Sequence, residues 1–251
     1  MTTAARAAAI PLVVVVLAGC GEKPRAPAPP RPAPPPAEQV PGRVVPPVVP
    51  TLSPGQTLVA AIQRRSELRA APGGRVLATI PRRTEFFSPQ VLTVLGVKRG
   101  WVRVLHPDVP DGRGAWVSLK DVHLRPAGWA IDVDLSQRRG VLSHNGRVFH
   151  AFTVGVGAPL HPTPTGRFGV TDRLRSTRAT SYYGCCVLAL TGHQPHVAQE
   201  WRGGDRLAIH GTDRPSTIGE AATLGCLHTD EKTMRLLMSH VPLGTAVTIH
   251  A

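Results

Sequence analysis

The sequence predicts a mostly β protein, and three observations predict it. From residue 55 onward, β-branched and aliphatic residues gather in short alternating runs, the period of strands rather than helices. Glycine, proline and asparagine punctuate those runs at turn spacing, as in Pro72-Gly73-Gly74, Arg99-Gly100, Pro110-Asp111-Gly112 and Asn145-Gly146. Only 229–241, "TDEKTMRLLMSHV", places apolar residues at helical spacing, with Met234, Leu237, Met238 and Val241 at i, i+3, i+4 and i+7. At 251 residues and 42% hydrophobic content the chain is long enough for one large or two modest domains with real cores.

The chain begins with a different kind of segment. "MTTAARAAAIPLVVVVLAGC" carries one early Arg6 and an apolar stretch from Ala7 to Ala18, shorter than a bilayer-spanning helix and shaped like a secretory signal. Leu17-Ala18-Gly19-Cys20 resembles the lipobox of bacterial lipoproteins. That resemblance implies a signal peptide over 1–19, lipid on Cys20 and attachment to the membrane through it; the alternative is an ordinary signal peptide or membrane anchor. Residues 24–50 concentrate 12 of the 26 prolines, which lack N–H donors and fix φ, so 20–54 is expected to be a semi-rigid, polyproline-like linker. The protein is expected to be exported, with the linker holding its folded part off the membrane.

Export decides how the charge is read. The chain carries 29 Lys and Arg against 16 Asp and Glu, a formal charge of +13. Its basic residues are scattered and aromatic residues are 4%, so the basic stripe with stacking platforms that a single-strand nucleic-acid binder needs is missing. A solvated basic surface attracted to anionic lipid or acidic wall polymer is the expectation, with no nucleic-acid partner.

Residues 55–126 form the first β domain. "GRVLATI", "VLTVLGVKRGWVRVLHP" and "GAWVSL" read as strands separated by tight turns, and a small barrel is their natural closure. "LRAAPGG", "GWVRV" and "AWVSL" resemble bacterial Src-homology-3-like domains. Ligand binding and plain spacing stay equally open, because Trp101 and Trp116 serve as core or as platform.

From 129 the strands continue and acquire chemistry. "WAIDVDLSQRRGVLSHNGRVFHAFTVGVG" reads as an antiparallel meander, with turns at 136–140 and at Asn145-Gly146. "PLHPTPTGRFGVTD" follows, a rigid turn at Thr163-Pro164-Thr165-Gly166 feeding a strand from Arg167 to Val170. "YYGCCVLAL" and "RLAIH" add two more strands. "RLAIH" ends on His210-Gly211, and Gly225-Cys226 follows after a loop of small and polar residues. A histidine and a thiol are the minimum kit for a nucleophilic cysteine enzyme.

Taken in order, "GVGAPLHPTPTGRF", "YGCCVLAL", "LAIHGT", "LGCL" and "PLGTAVTI" resemble the L,D-transpeptidase (YkuD-like) catalytic domain over 129–251. The resemblance implies a β-sandwich with one or two short helices, a cysteine nucleophile at Cys226, His210 as its base, and peptidoglycan stem peptides as substrate. It implies cross-links between the third residues of two stems through a thioester, no cofactor and no metal, and covalent inhibition by carbapenem-type β-lactams. An L,D-carboxypeptidase, or a wall-binding lipoprotein with a weakened or inactive catalytic domain, is the alternative.

Physical chemistry supplies further expectations. A free thiol with pKa ~8.5 is only a few per cent thiolate at neutral pH, so Cys226 needs a neighbour to take its proton. With a helix beginning near 229, the Gly225 and Cys226 N–H groups form the expected oxyanion hole. The family resemblance also implies Gly211, Thr212, Tyr183, Thr163, Thr165, Gly166 and Arg167 as substrate-positioning residues, together with His228. His228 stands where the family typically has arginine, so weaker, pH-dependent donor positioning is expected, and His228→Arg is expected to raise kcat/KM. Cys185 and Cys186 read as core or pocket-wall thiols, with a zinc site beside His193 and His196, or a disulfide to Cys226, as the sharper alternatives.

Overall fold

The N-terminal sheet is built from seven short strands. They are β1 (Thr57–Ile62), β2 (Ser66–Arg69), β3 (Val76–Ile80), β4 (Val91–Lys98), β5 (Trp101–Val104), β6 (Ala115–Ser118) and β7 (Val122–Ala127). Their order is β3-β2-β6-β5-β4-β1-β7, antiparallel throughout. At the β4–β5 turn, Arg99 and Gly100 both take positive φ, which the right-handed twist of a two-residue hairpin demands. Pro126 lies in β7, an edge strand, where its missing N–H removes no ladder bond on the open side. Alternate residues turn inward, and Leu68, Ile80, Leu92, Val102, Val104 and Val117 fill the core.

This computed structural model describes residues 49–176, 182–198 and 204–251. The expected signal peptide, the lipid site at Cys20 and most of the Pro-rich linker lie outside the described residues. Both sheets belong to the compact unit Val45–Ala251.

The second sheet has eight strands in the order β10-β9-β8-β17-β12-β13-β14-β16. In chain order, with a separate two-stranded pair, the elements are β8 (Trp129–Asp134), β9 (Arg139–His144), β10 (Arg147–Thr153), β11 (Val156–Gly157), β12 (Gly166–Arg175), β13 (Cys186–His193), β14 (Arg206–His210), β15 (Ala221–Thr223), β16 (Leu227–His228), α1 (Glu231–His240) and β17 (Ala246–His250). The meander β8-β9-β10 follows the expected hairpins, with Asn145 and Gly146 both at positive φ. β11 pairs in parallel with β15.

Two parallel pairings organise the site. β17 inserts between β8 and β12, parallel to the first and antiparallel to the second. β16 runs parallel to β14, and their register sets His210 opposite His228. "YYGC", residues 182–185, does not join the strand that follows it. β13 begins at Cys186, because Gly184 takes φ +62° in a turn pressed against Gly211, where a Cβ would come within 2.7 Å of the Gly211 Cα.

The helix is shorter than its periodic pattern. Asp230 is its N-cap, accepting the Thr233 N–H at 2.9 Å, so Thr229 and Asp230 stay extended instead of entering the first turn. The predicted apolar face is the buried one, with Met234, Leu237, Met238 and Val241 all in the core beside Leu188, Leu190, Leu207 and Ile209.

Candidate active site

β14 is buried along its whole length, and its last residue, His210, is 1% exposed. Its Nδ1 lies in hydrogen-bond contact with the Gly211 carbonyl. A carbonyl only accepts, so Nδ1 carries the proton and Nε2 keeps its lone pair. Burial, with the neighbouring His228 adding to it, pushes the imidazole down to about 3, so it is neutral at physiological pH.

Cys226 sits between β15 and β16 on a loop that two buried threonines hold. Thr223 Oγ1 accepts the Gly225 N–H at 3.0 Å and donates to the Cys226 carbonyl at 2.6 Å. Thr163 Oγ1 accepts the Gly157 N–H at 2.8 Å and donates to the Gly225 carbonyl at 2.9 Å. Each hydroxyl thus joins a donor to an acceptor that would otherwise lose its partner. Gly225 is at φ +115°, and a Cβ there would lie 2.1 Å from the Gln194 amide nitrogen, itself bonded to the Pro162 carbonyl at 2.8 Å. Only glycine fits.

The thiol is half-buried and unbonded to any other sulfur, and Sγ lies 3.8 Å from the Arg206 carbonyl at the start of β14. Desolvation pushes it up to about 11. The resting site therefore holds a neutral thiol and a neutral imidazole, not an ion pair.

His228 completes the cluster. It is 3% exposed, its ring centroid is 4.5 Å from that of His210, and its Nδ1 is 2.9 Å from Thr217 Oγ1. The Thr217 hydroxyl donates its single proton to the Arg214 carbonyl at 2.8 Å, so it accepts from His228, which fixes the Nδ1–H tautomer. His228 Nε2 is then a buried acceptor with no hydrogen-bond partner among the described residues. Burial lowers the His228 pKa, so acid does not readily supply the positive charge expected of it at this position.

A cavity of about 210 Å³ gathers Cys226, His210, His228, Tyr182 and Tyr183 in its wall. Of the expected binding residues, Tyr183 and His228 line it. Thr163, Thr165, Gly166, Arg167, Gly211 and Thr212 do not. Thr163 is instead an internal clamp on the nucleophile loop, and Thr165 and Arg167 are exposed. Gly211 is buried against Gly184 and the Tyr183 carbonyl, and Thr212 Oγ1 accepts the Arg214 N–H. The expected pair of oxyanion donors is reduced as well, because the Gly225 N–H is engaged by Thr223.

Cys185 and Cys186 are joined to each other as a disulfide, which removes both as zinc thiolates and as partners for Cys226. The Cys185 N–H donates to Glu231 Oε1 at 2.7 Å, fastening this turn to the start of α1. Sequence reasoning missed Tyr182, Gln194, Thr223, Arg206 and Phe86. Tyr182 alone had a signal, its place beside Tyr183 in the same turn, where the two rings meet edge to face at 5.2 Å.

Residues 128–249 match the YkuD family model, described as the L,D-transpeptidase catalytic domain. YkuD of Bacillus subtilis (strain 168), provisionally named an L,D-transpeptidase, is 34% identical over 120 residues, 48% of this chain and 65% of that protein. The Bacillus licheniformis protein of the same name is 31% identical over 121 residues, again 48% of this chain and 65% of the relative. The chain thus spans just under two thirds of the length of these curated relatives. Among solved structures, an L,D-transpeptidase from Mycobacterium smegmatis covers 64% of this chain and 82% of its own, with a TM-score of 0.40 and 14% identity.

Proposed function

We propose that residues 128–249, which belong to the YkuD family of L,D-transpeptidase catalytic domains, perform acyl transfer on peptidoglycan stem peptides through a thioester on Cys226. The observation that carries this is the convergence in one cavity of the Cys226 thiol and a histidine whose tautomer leaves Nε2 free to take a proton.

His210 Nε2 accepts the thiol proton as Sγ attacks the carbonyl carbon between the diamino acid and the terminal D-Ala of a tetrapeptide stem. The Cys226 N–H faces the developing oxyanion. Collapse breaks the C–N bond, the departing amine of D-Ala takes the proton from His210, and the acyl group stays on sulfur. An amine of a second stem then attacks the thioester, His210 takes its proton, and the thiolate leaves to be reprotonated, so one amide is lost and one is formed. Water in place of the amine gives L,D-carboxypeptidase activity. Because thiol and imidazole are both neutral at rest, proton transfer belongs to the attack step.

D-Ala release from a tetrapeptide stem, with intact-mass detection of a carbapenem adduct on the full chain, tests the proposal. Both signals are expected and both vanish in Cys226→Ala; turnover near wild type in that variant overturns the mechanism. The high thiol pKa favours the second reading, a weakened catalytic domain in a wall-binding lipoprotein, and absence of any adduct selects it. The exported, lipid-anchored placement is proposed from Leu17–Cys20 alone, and a metabolic lipid label lost in Cys20→Ala checks it.

A further inference from the structure

The cavity has a wall that the catalytic sheet does not supply. Phe86, in the loop between β3 and β4 of the N-terminal sheet, lines it together with Cys226 and His210. Three consecutive residues of that loop each make a separate connection. The Thr84 hydroxyl donates to Asp172 Oδ1 and accepts the Phe86 and Ser88 N–H groups at 3.3 and 3.1 Å, so one side chain shapes the turn and fastens it to β12. Glu85 forms an ion pair with Arg206, the first residue of β14. Phe86 then enters the cavity.

The ion pair is placed where it has most effect. The Arg206 side chain is 5% exposed, its Nε and Nη2 donate to the Leu190 carbonyl at 2.9 and 2.7 Å, and Nη2 also reaches Thr171 Oγ1 at 2.8 Å. Those bonds engage Nε and Nη2, and Glu85 is the acid that pairs directly with Nη1. The carbonyl of the same residue faces Cys226 Sγ, and four residues further along the strand is His210. A displacement of Glu85 is therefore felt in the strand that carries both the thiol's resting contact and the base.

We propose that the Thr84–Phe86 turn completes the substrate site, with Phe86 as a specificity-determining residue for the aliphatic chain of the acyl donor and Glu85 as a positioning residue acting through Arg206. The other apolar walls, Leu174, Val187, Val197 and Leu224, suit a methylene chain, which an aromatic face covers without asking for hydrogen bonds. The N-terminal sheet is thus part of the catalytic unit and not only a spacer or wall anchor. The inference rests on the stem-peptide reading above.

The test uses the full chain. Phe86→Ala is expected to raise KM for a tetrapeptide stem by about fivefold or more with kcat within about twofold, the pattern of lost substrate binding. Glu85→Gln is expected to shift KM and kcat together, and Glu85→Asp to recover part of both, which a purely structural contact would show only in the melting temperature. An unchanged KM in Phe86→Ala overturns the proposal, whether or not Glu85→Gln folds. If the wild-type chain releases no D-Ala, the functional reading fails, and the wall is still decided by chemistry at the thiol. Phe86→Ala is then expected to raise the rate of Cys226 modification by a bulky N-aryl maleimide relative to iodoacetamide about threefold or more, as removal of a ring opens the cavity. An unchanged ratio overturns it.

Discussion

His210 and His228 stand opposite each other on the parallel strands β14 and β16, with ring centroids 4.5 Å apart. The relationship reverses the expectation for an arginine at 228. A guanidinium has no acceptor, stays charged, and would enter a position that is 3% exposed beside the base. There it would hold the imidazole of His210 still further from protonation. His228→Arg is therefore expected to lower kcat/KM at pH 7 by roughly tenfold or more, equivalent to ~1.4 kcal/mol. His228→Gln, which returns an acceptor to the cavity, is expected to stay within several-fold of wild type. A rise in kcat/KM for His228→Arg sinks the acceptor role.

The thiol has its own pH signature. A group pushed up to about 11 is fully protonated through the neutral range, and its thiolate fraction grows tenfold with each pH unit below that value. Alkylation of Cys226 by iodoacetamide is expected to climb steadily from pH 7 through pH ~10. A rate that is half-maximal near pH ~8.5 and flat above about pH 9.5, as for an ordinary cysteine, contradicts the neutral resting pair.

Stability should respond on the acid side. Burial depresses His210 to about 3 and His106 to about 4 in the folded chain, both from 6.5. A depressed histidine binds its proton more readily when unfolded. Its contribution is whole above pH 6.5 and is lost as pH falls from there through the folded value. Urea denaturation between pH 7 and pH 4 should show this loss, and His210→Gln should shrink the slope by up to one proton's worth. An identical slope in that variant means His210 is not buried neutral.

The nucleophile loop supplies a further test. Thr163→Val removes a hydroxyl that joins the part-buried Gly157 N–H to the buried Gly225 carbonyl and leaves both groups without it, at a cost of about 1–3 kcal/mol. Chemical denaturation should register that cost, and kcat should fall while KM for the stem changes little, because Thr163 does not line the cavity. A variant with wild-type stability and a raised KM would return Thr163 to the substrate wall, where the sequence alone placed it.

Local patterns reached some of this architecture. Alternation located β14, the positive-φ pairs Arg99-Gly100 and Asn145-Gly146 marked their hairpins, and the spacing of Met234, Leu237, Met238 and Val241 marked the buried face of α1. These are legible because period and turn chemistry depend on residues a few positions apart. Family order pointed to Cys226 and His210. Only the tertiary structure decided the rest. The parallel pairing of β16 with β14 turned His228 toward His210, two threonines distant in sequence from each other closed on one loop, and Glu85 met Arg206 across 121 positions. Strand partners are selected by which faces can be buried together, and buried hydrogen bonds by which donors and acceptors packing leaves within reach. Both selections act through space, and neither leaves a period in the sequence.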